Sequence, residues 1–208
     1  MSDNQGVIDW RAVKDAGVEF AVLRSTRGSG KPDRQAAANV TGCREQGIPF
    51  SFYKYQYALT EAESAKEAEG VLKLLAKLGV TPSRDTLIWS DIEYDDLLAL
   101  GKEKVTDIIN AFKAVVETAG FGFGVYCCKY DYEHRLESAR FTAPMWIARY
   151  YRCYTPLTFG YEPDESYRPA IAARSASELL GWQFTSTGRV PGIRGNVDLN
   201  ETYKNILN

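Results

Sequence analysis

Two carboxylates stand two residues apart in Thr86-Leu-Ile-Trp-Ser-Asp-Ile-Glu93, at the end of an otherwise apolar run. Alternate residues of a strand share a side, so Leu87, Trp89, Asp91 and Glu93 fall on one face and Thr86, Ile88, Ser90 and Ile92 on the other. Both faces are largely apolar, as in a parallel strand covered on both sides. Carboxylates held this close raise one another's pKa, so one keeps its proton near neutral pH while the other is ionised. Glycosidic bond cleavage needs that division of labour: a proton donor for the leaving oxygen and an anion near the developing oxocarbenium ion. Asp-x-Glu alone is more often the mark of a solvated strand end or a helix cap. The apolar residues in front of it place the pair at the mouth of a core.

The elements that must position this pair alternate along the chain. Helices are expected over 9–15, 34–46, 60–78 and 102–119, stopped by Gly17, Gly47, Gly79 and Gly120. Thr60-Glu-Ala-Glu63 reads as a capping box. Strands are expected over 20–24, 49–57, 86–93, 123–127, 144–150, 180–184 and 196–199, with a terminal helix over 201–207. This βα alternation, giving way to strands joined by loops, predicts an α/β fold: an incomplete, TIM-type (β/α) barrel with its site at the C-terminal strand ends. Neither a Gly-x-Gly-x-x-Gly after a strand nor a P-loop is present, which disfavours a nucleotide-binding sheet.

At 208 residues and 45% hydrophobic composition the chain fits one domain, residues 1–208, with a sizeable core. A net charge of −2 without a Lys/Arg run argues against a nucleic-acid partner. No apolar stretch reaches the roughly 18 residues of a membrane span, and Met1 to Gly6 is not a signal peptide. Cys43, Cys127, Cys128 and Cys153 match no zinc spacing; free thiols are expected, with a disulfide left open. His134, the only histidine, sits among charged residues and reads as a solvated position, so histidine-dependent nucleophilic chemistry is poorly supported.

Further strand-end residues converge on the same mouth: Tyr53, Tyr55 and Tyr57; Tyr126; Trp146 and Tyr150; Trp182 and Gln183; and Asp198. Singly, each reads as packing, and Asp198 as the cap of the helix after it. Together they describe a saccharide cleft, with flat rings for pyranose faces. Arg24, ending its strand, is expected to bind an anion or pair with a site carboxylate.

In order and spacing, Ser2-Asp-Asn-Gln-Gly-Val-Ile-Asp-Trp10, Phe20-Ala-Val-Leu-Arg24, Asp33 with Asn39, Asp91-Ile-Glu93, Gly124-Val-Tyr126, Trp146-Ile-Ala148 with Tyr150, Trp182-Gln183 and Gly192-Ile-Arg-Gly-Asn-Val-Asp198 resemble glycoside hydrolase family 25 lysozymes, the cellosyl-type N-acetylmuramidases. The resemblance implies a flattened (β/α)5(β)3-like barrel that hydrolyses the β-1,4 bond between N-acetylmuramic acid and N-acetylglucosamine in peptidoglycan. It makes Glu93 the general acid and later base, has Asp91 orient the substrate's 2-acetamido group or stabilise positive charge, and has Asp198 hold the site in register and tune Glu93. Tyr53, Tyr55, Tyr126, Trp146, Tyr150, Trp182, Gln183 and Arg24 would bind substrate. Acetamido assistance is favoured over a protein nucleophile. No cofactor or metal is implied; the partners would be peptidoglycan glycan strands, the protein a monomer, and its place of action the cell wall or outside the cell, reached by export or by release from a phage-infected cell.

One departure stands out. Family members open with Gly-Ile-Asp-Val-Ser, a first strand whose Asp is a site carboxylate, and this sequence starts at Met1, at the Val position. The first strand is thus expected to be truncated, and the native reading frame to continue upstream of an internal GUG codon. A non-catalytic peptidoglycan-binding barrel is the alternative, and a chitinase-like hydrolase a weaker third reading, because the acid run of that family is missing.

Overall fold

The computed structural model describes residues 1–28, 30–140, 142–151, 155–171 and 177–203. Eight strands form one curled sheet: β1 (Ala21–Arg24), β2 (Phe50–Tyr55), β3 (Leu87–Asp91), β4 (Gly122–Cys128), β5 (Met145–Ala148), β6 (Leu157–Thr158), β7 (Leu179–Arg189) and β8 (Val197–Thr202). The order is β1-β2-β3-β4-β5-β7-β6, with β8 paired to β7. All pairings are parallel except β7 with β8. This is the incomplete α/β barrel expected. Along the outer edge of β1, Met1 makes one parallel rung: its nitrogen donates to the Val22 carbonyl (2.8 Å) and its carbonyl accepts from Arg24 N–H (2.7 Å).

The helices are α1 (Trp10–Asp15), α2 (Ala36–Glu45), α3 (Glu61–Lys77), α4 (Asp95–Leu98), α5 (Lys102–Thr118) and α6 (Lys129–His134). Asp9 caps α1 by accepting the Ala12 N–H (3.0 Å). The capping box of α3 is complete: the Thr60 hydroxyl accepts from Glu63 N–H (3.2 Å) and the Glu63 carboxylate accepts from Thr60 N–H (3.1 Å). On α5, Val105, Ile108, Ile109, Phe112 and Val116 are all fully buried, a helical stripe aimed at the sheet. Each such side chain contributes roughly 1.5–3 kcal/mol relative to exposure.

Alternation splits the apolar residues into two layers. Leu23, Phe52, Ile88, Val125 and Ile147 pack outward under the helices. Val22, Leu87, Trp89, Tyr126, Trp146, Ala148 and Leu180 fill the concave side. The concave layer is bulky, and glycines on neighbouring strands make the room. Trp89 lies opposite Gly124, and Trp146 opposite Gly181. A Cβ at Gly124 would come within 2.4 Å of the Trp89 ring. Gly124→Ala is therefore expected to lose about 1–3 kcal/mol by overpacking, read as a lower urea midpoint at unchanged m-value.

The last third departs from expectation. Glu201 and Thr202 continue β8, paired with Trp182 and Gly181, so the predicted terminal helix does not start there; residues 204–208, the rest of it, lie outside the described residues. β7 runs on through Thr185-Ser-Thr-Gly-Arg189, a polar stretch that reads as a loop, because β6 and β8 supply its ladder hydrogen bonds. The short elements α4, α6 and β6 were also not expected, each being too brief to show a period. Cys43, Cys127 and Cys128 are free thiols, and Cys153 lies outside the described residues. His134 is exposed on the last turn of α6, against Tyr130. Among the described residues no helix is long and apolar enough to cross a membrane.

Candidate active site

The C-terminal ends of the strands open into a cleft of about 600 Å³, well within the range of ligand sites. Asp91, Glu93 and Asp198 all line it. Asp91 is the last residue of β3, opposite Tyr55 on β2 and Tyr126 on β4. Glu93 follows two residues later, where the chain leaves the sheet. Asp198 comes from the opposite side, on β8, facing the cleft from a strand rather than capping a helix.

The three acids differ in environment. Asp91 is buried, and one oxygen, Oδ1, has no hydrogen-bond partner among the described residues. Burial, and then the charges of Glu93 and Asp198, hold its carboxyl well above the usual range, against an opposing pull from Lys54. Glu93 is half-buried. Burial also raises it, helped by the charges of Asp198 and Asp131 and opposed by the Tyr126 hydroxyl beside it. Asp198 is the most exposed of the three. A coupled group of this kind titrates as a unit, with a proton retained at pH values where isolated carboxyls would have lost theirs.

Aromatic and amide groups surround the acids. Tyr53, Tyr55, Tyr57, Tyr126, Trp146, Tyr150, Gln183 and Asn200 line the cleft. Gln183 Oε1 accepts hydrogen bonds from the hydroxyls of Tyr126 (2.8 Å) and Tyr150 (2.9 Å). Trp146 Nε1 donates to Asn200 Oδ1 (2.9 Å). Burial, foremost, pushes the Tyr55 and Tyr150 hydroxyls up to about 12, so both remain protonated donors.

Two of the expected ligand contacts come out differently. Trp182 is fully buried in the outer layer, with Nε1 donating to the Arg149 carbonyl (2.7 Å). Its neighbour Gln183 faces the cleft, and adjacent strand residues cannot share a side; Trp182 is a core residue. Arg24 borders the cleft, but its guanidinium is engaged by Asp33 Oδ2 (2.7 Å) and by Asp3. It pairs with carboxylates that brace the 1–9 and 25–33 segments rather than with the central three. Asn200, Tyr57 and the loop residues Thr26 and Gly28 also reach the cleft. Asn200 was legible in principle, two residues after Asp198 on the same strand. The loop residues carried no periodic signal. Among the described residues, no group of three or more His, Cys, Asp or Glu side chains is placed to hold a metal ion.

The sequence matches the profile of Glycosyl hydrolases family 25 over residues 1–193. The chain belongs to this family. It is 27% identical over 205 residues to the autolytic lysozyme of Clostridium acetobutylicum, covering 98% of this chain and 54% of that protein. It is 24% identical over 214 residues to lysozyme M1 of Streptomyces globisporus, covering 95% of this chain and 64% of that protein. The chain thus spans a little over half to just under two-thirds of the length of these relatives. Its fold superposes on the bacterial lysozyme of Streptomyces coelicolor with a TM-score of 0.72 at 24% identity, over 98% of this chain and 90% of that one. The Asp91/Glu93 pair lies at the end of β3, inside a cleft walled by aromatic rings.

Proposed function

We propose that this family 25 domain is a lysozyme that hydrolyses the β-1,4 bond between N-acetylmuramic acid and N-acetylglucosamine in peptidoglycan. The observation that carries the reading is the buried Asp91 carboxyl, with an oxygen lacking a hydrogen-bond partner among the described residues, beside a half-buried Glu93 whose carboxyl is raised above its usual range, foremost by burial. An unpartnered buried acceptor is costly, and a substrate N–H supplies the missing donor. Glu93 donates its proton to the leaving glycosidic oxygen as the C1–O bond breaks. The acetamido oxygen of the same sugar forms the new bond to C1, while Asp91 accepts the acetamido N–H and offsets the developing positive charge. Glu93, now a carboxylate, then takes a proton from the water that attacks C1 and reopens the ring. Tyr53, Tyr55, Tyr126, Trp146 and Tyr150 present rings and hydroxyls to the sugars, with Gln183 fixing two of those hydroxyls. Residues 1–208 are read as one catalytic domain acting as a monomer on the wall.

The test is a digest of purified peptidoglycan, with Glu93→Gln as control and mass spectrometry of the new reducing ends. Muramic acid ends that vanish in the control support the reading. N-acetylglucosamine ends, cleavage of chitin oligomers in preference to peptidoglycan, or a folded chain that binds without cleaving overturns it.

Asp198 acts as a charge that raises both partners. Asp198→Asn is therefore expected to move both limbs of the pH–rate profile to lower pH, by about half to one unit. A kcat/KM profile checks this; limbs that stay in place remove Asp198 from the tuning role.

A further inference from the structure

Lys54 lies between Tyr53 and Tyr55 on β2 and points the other way, 1% exposed, into the layer under α3. A buried ammonium is costly, and an aliphatic side chain would fill the same space. Its nitrogen is instead fully engaged. It forms an ion pair with Glu67 of α3 (3.1 Å), donates to the Tyr55 carbonyl, and sits 5.1 Å from the centre of the Tyr57 ring. Glu67 in turn accepts the Tyr57 N–H (3.3 Å to the nearer oxygen). The Tyr57 ring packs on Tyr55 (4.7 Å) and Tyr94 (5.2 Å), and Gly28 presses against it, leaving no room there for a Cβ. Across the sheet, Tyr55 is the register partner of Asp91, and Gln56 N–H donates to the Asp91 carbonyl (3.0 Å).

We propose that Lys54 is a positioning residue for the cleft: its buried ammonium fixes the end of β2, with Tyr55, and the Tyr57 that follows it, and it sets a positive charge behind Asp91. This rests on the reading of Asp91 as a cleft carboxylate that works in its charged form. The charge matters because, among the described residues, the other charges acting on Asp91 are negative and oppose its ionisation. Glu93 follows it on the chain, Asp198 faces it from β8, and the other neighbours are the neutral hydroxyls of Tyr53 and Tyr55 on β2 and Tyr126 on β4. Lys54 pulls the other way. Facing Lys54 itself are Glu67 from α3 and Asp91 from β3. Replacing a buried ion pair by apolar residues of similar size is often neutral or stabilising, so packing alone gives no reason for a lysine here.

The experiment compares wild type, Lys54→Arg and the double variant Lys54→Met with Glu67→Leu, which removes both charges together. The carboxyl of Asp91 is titrated by 13C NMR, and kcat/KM is measured against pH. In the folded double variant the Asp91 midpoint and the acid limb are expected to rise together by about one unit, with KM for glycan raised as the Tyr55–Tyr57 wall loosens. Lys54→Arg is expected to restore the midpoint. Should the double variant fail to fold, Lys54→Gln, which keeps an N–H donor for Glu67, removes the same charge and is likewise expected to raise the midpoint. A midpoint that stays where it is in the folded variant overturns the proposal. The NMR titration needs no turnover, so an inactive wild type would count against the lysozyme reading and leave the role of Lys54 to be decided independently.

Discussion

Glu93→Gln is expected to lower kcat on peptidoglycan by about 10²–10⁴-fold, the usual contribution of a general acid–base, with KM little changed. Gln fills the same space and keeps an acceptor oxygen, but it can neither protonate the leaving oxygen nor accept a proton from water. The variant should also be the more stable protein above neutral pH. The sign follows from the raised pKa: a carboxyl held above its unfolded value favours the fold while protonated and works against it as pH rises through that window. Gln removes the ionised state altogether. Melting temperatures of wild type and variant should be close at pH 4 and diverge at pH 8 in the variant's favour, a trade of stability for activity familiar at working sites. Undiminished cleavage by the variant would end the assignment of Glu93.

Asp91→Asn is expected to cost about 10²–10³-fold in kcat, the scale of losing one aimed electrostatic contact in a water-poor site. Asn can still accept the acetamido N–H through its carbonyl oxygen, so substrate binding should suffer less than turnover. What disappears is the negative charge that grows in value as the sugar becomes cationic. Steady-state kinetics separate these: kcat falls while KM moves by less than a few-fold. A larger effect on KM than on kcat would make Asp91 a ground-state binding residue instead. Removing this buried carboxyl also relieves repulsion with Glu93 and Asp198, so the melting temperature at neutral pH should rise even as activity is lost. The two variants together should not multiply in kcat, because the residues act on one step.

Much of this site was legible because its strands obey a period of two. Trp89, Asp91 and Glu93 face one way and Ile88 and Ile92 the other, as the alternation requires. Thr60 and Glu63 announced the start of α3 through chemistry that is local to four residues. The same alternation sends Trp182 to the core and Gln183 to the cleft. Helix–strand ambiguity at 201–202 had a different origin. Nothing in Glu201-Thr-Tyr203 opposes a helix, and only the ladder to Trp182 and Gly181 makes it strand.

By itself the sequence determined the alternating order of elements, the outward and inward faces of each strand, and the placing of Asp91 and Glu93 at a strand end. Those depend on neighbours within one element, where spacing is geometry. Tertiary structure alone decided that Asp198 arrives across the cleft from Asp91, that Gln183 ties Tyr126 to Tyr150, that Arg24 is spent on Asp33 and Asp3, and that Lys54 is buried with Glu67. Each of these joins residues from different elements, and the curl of the sheet brings them within reach of one another. Burial and charge there act through space, so a carboxyl's pKa is set by residues more than a hundred positions away in the chain.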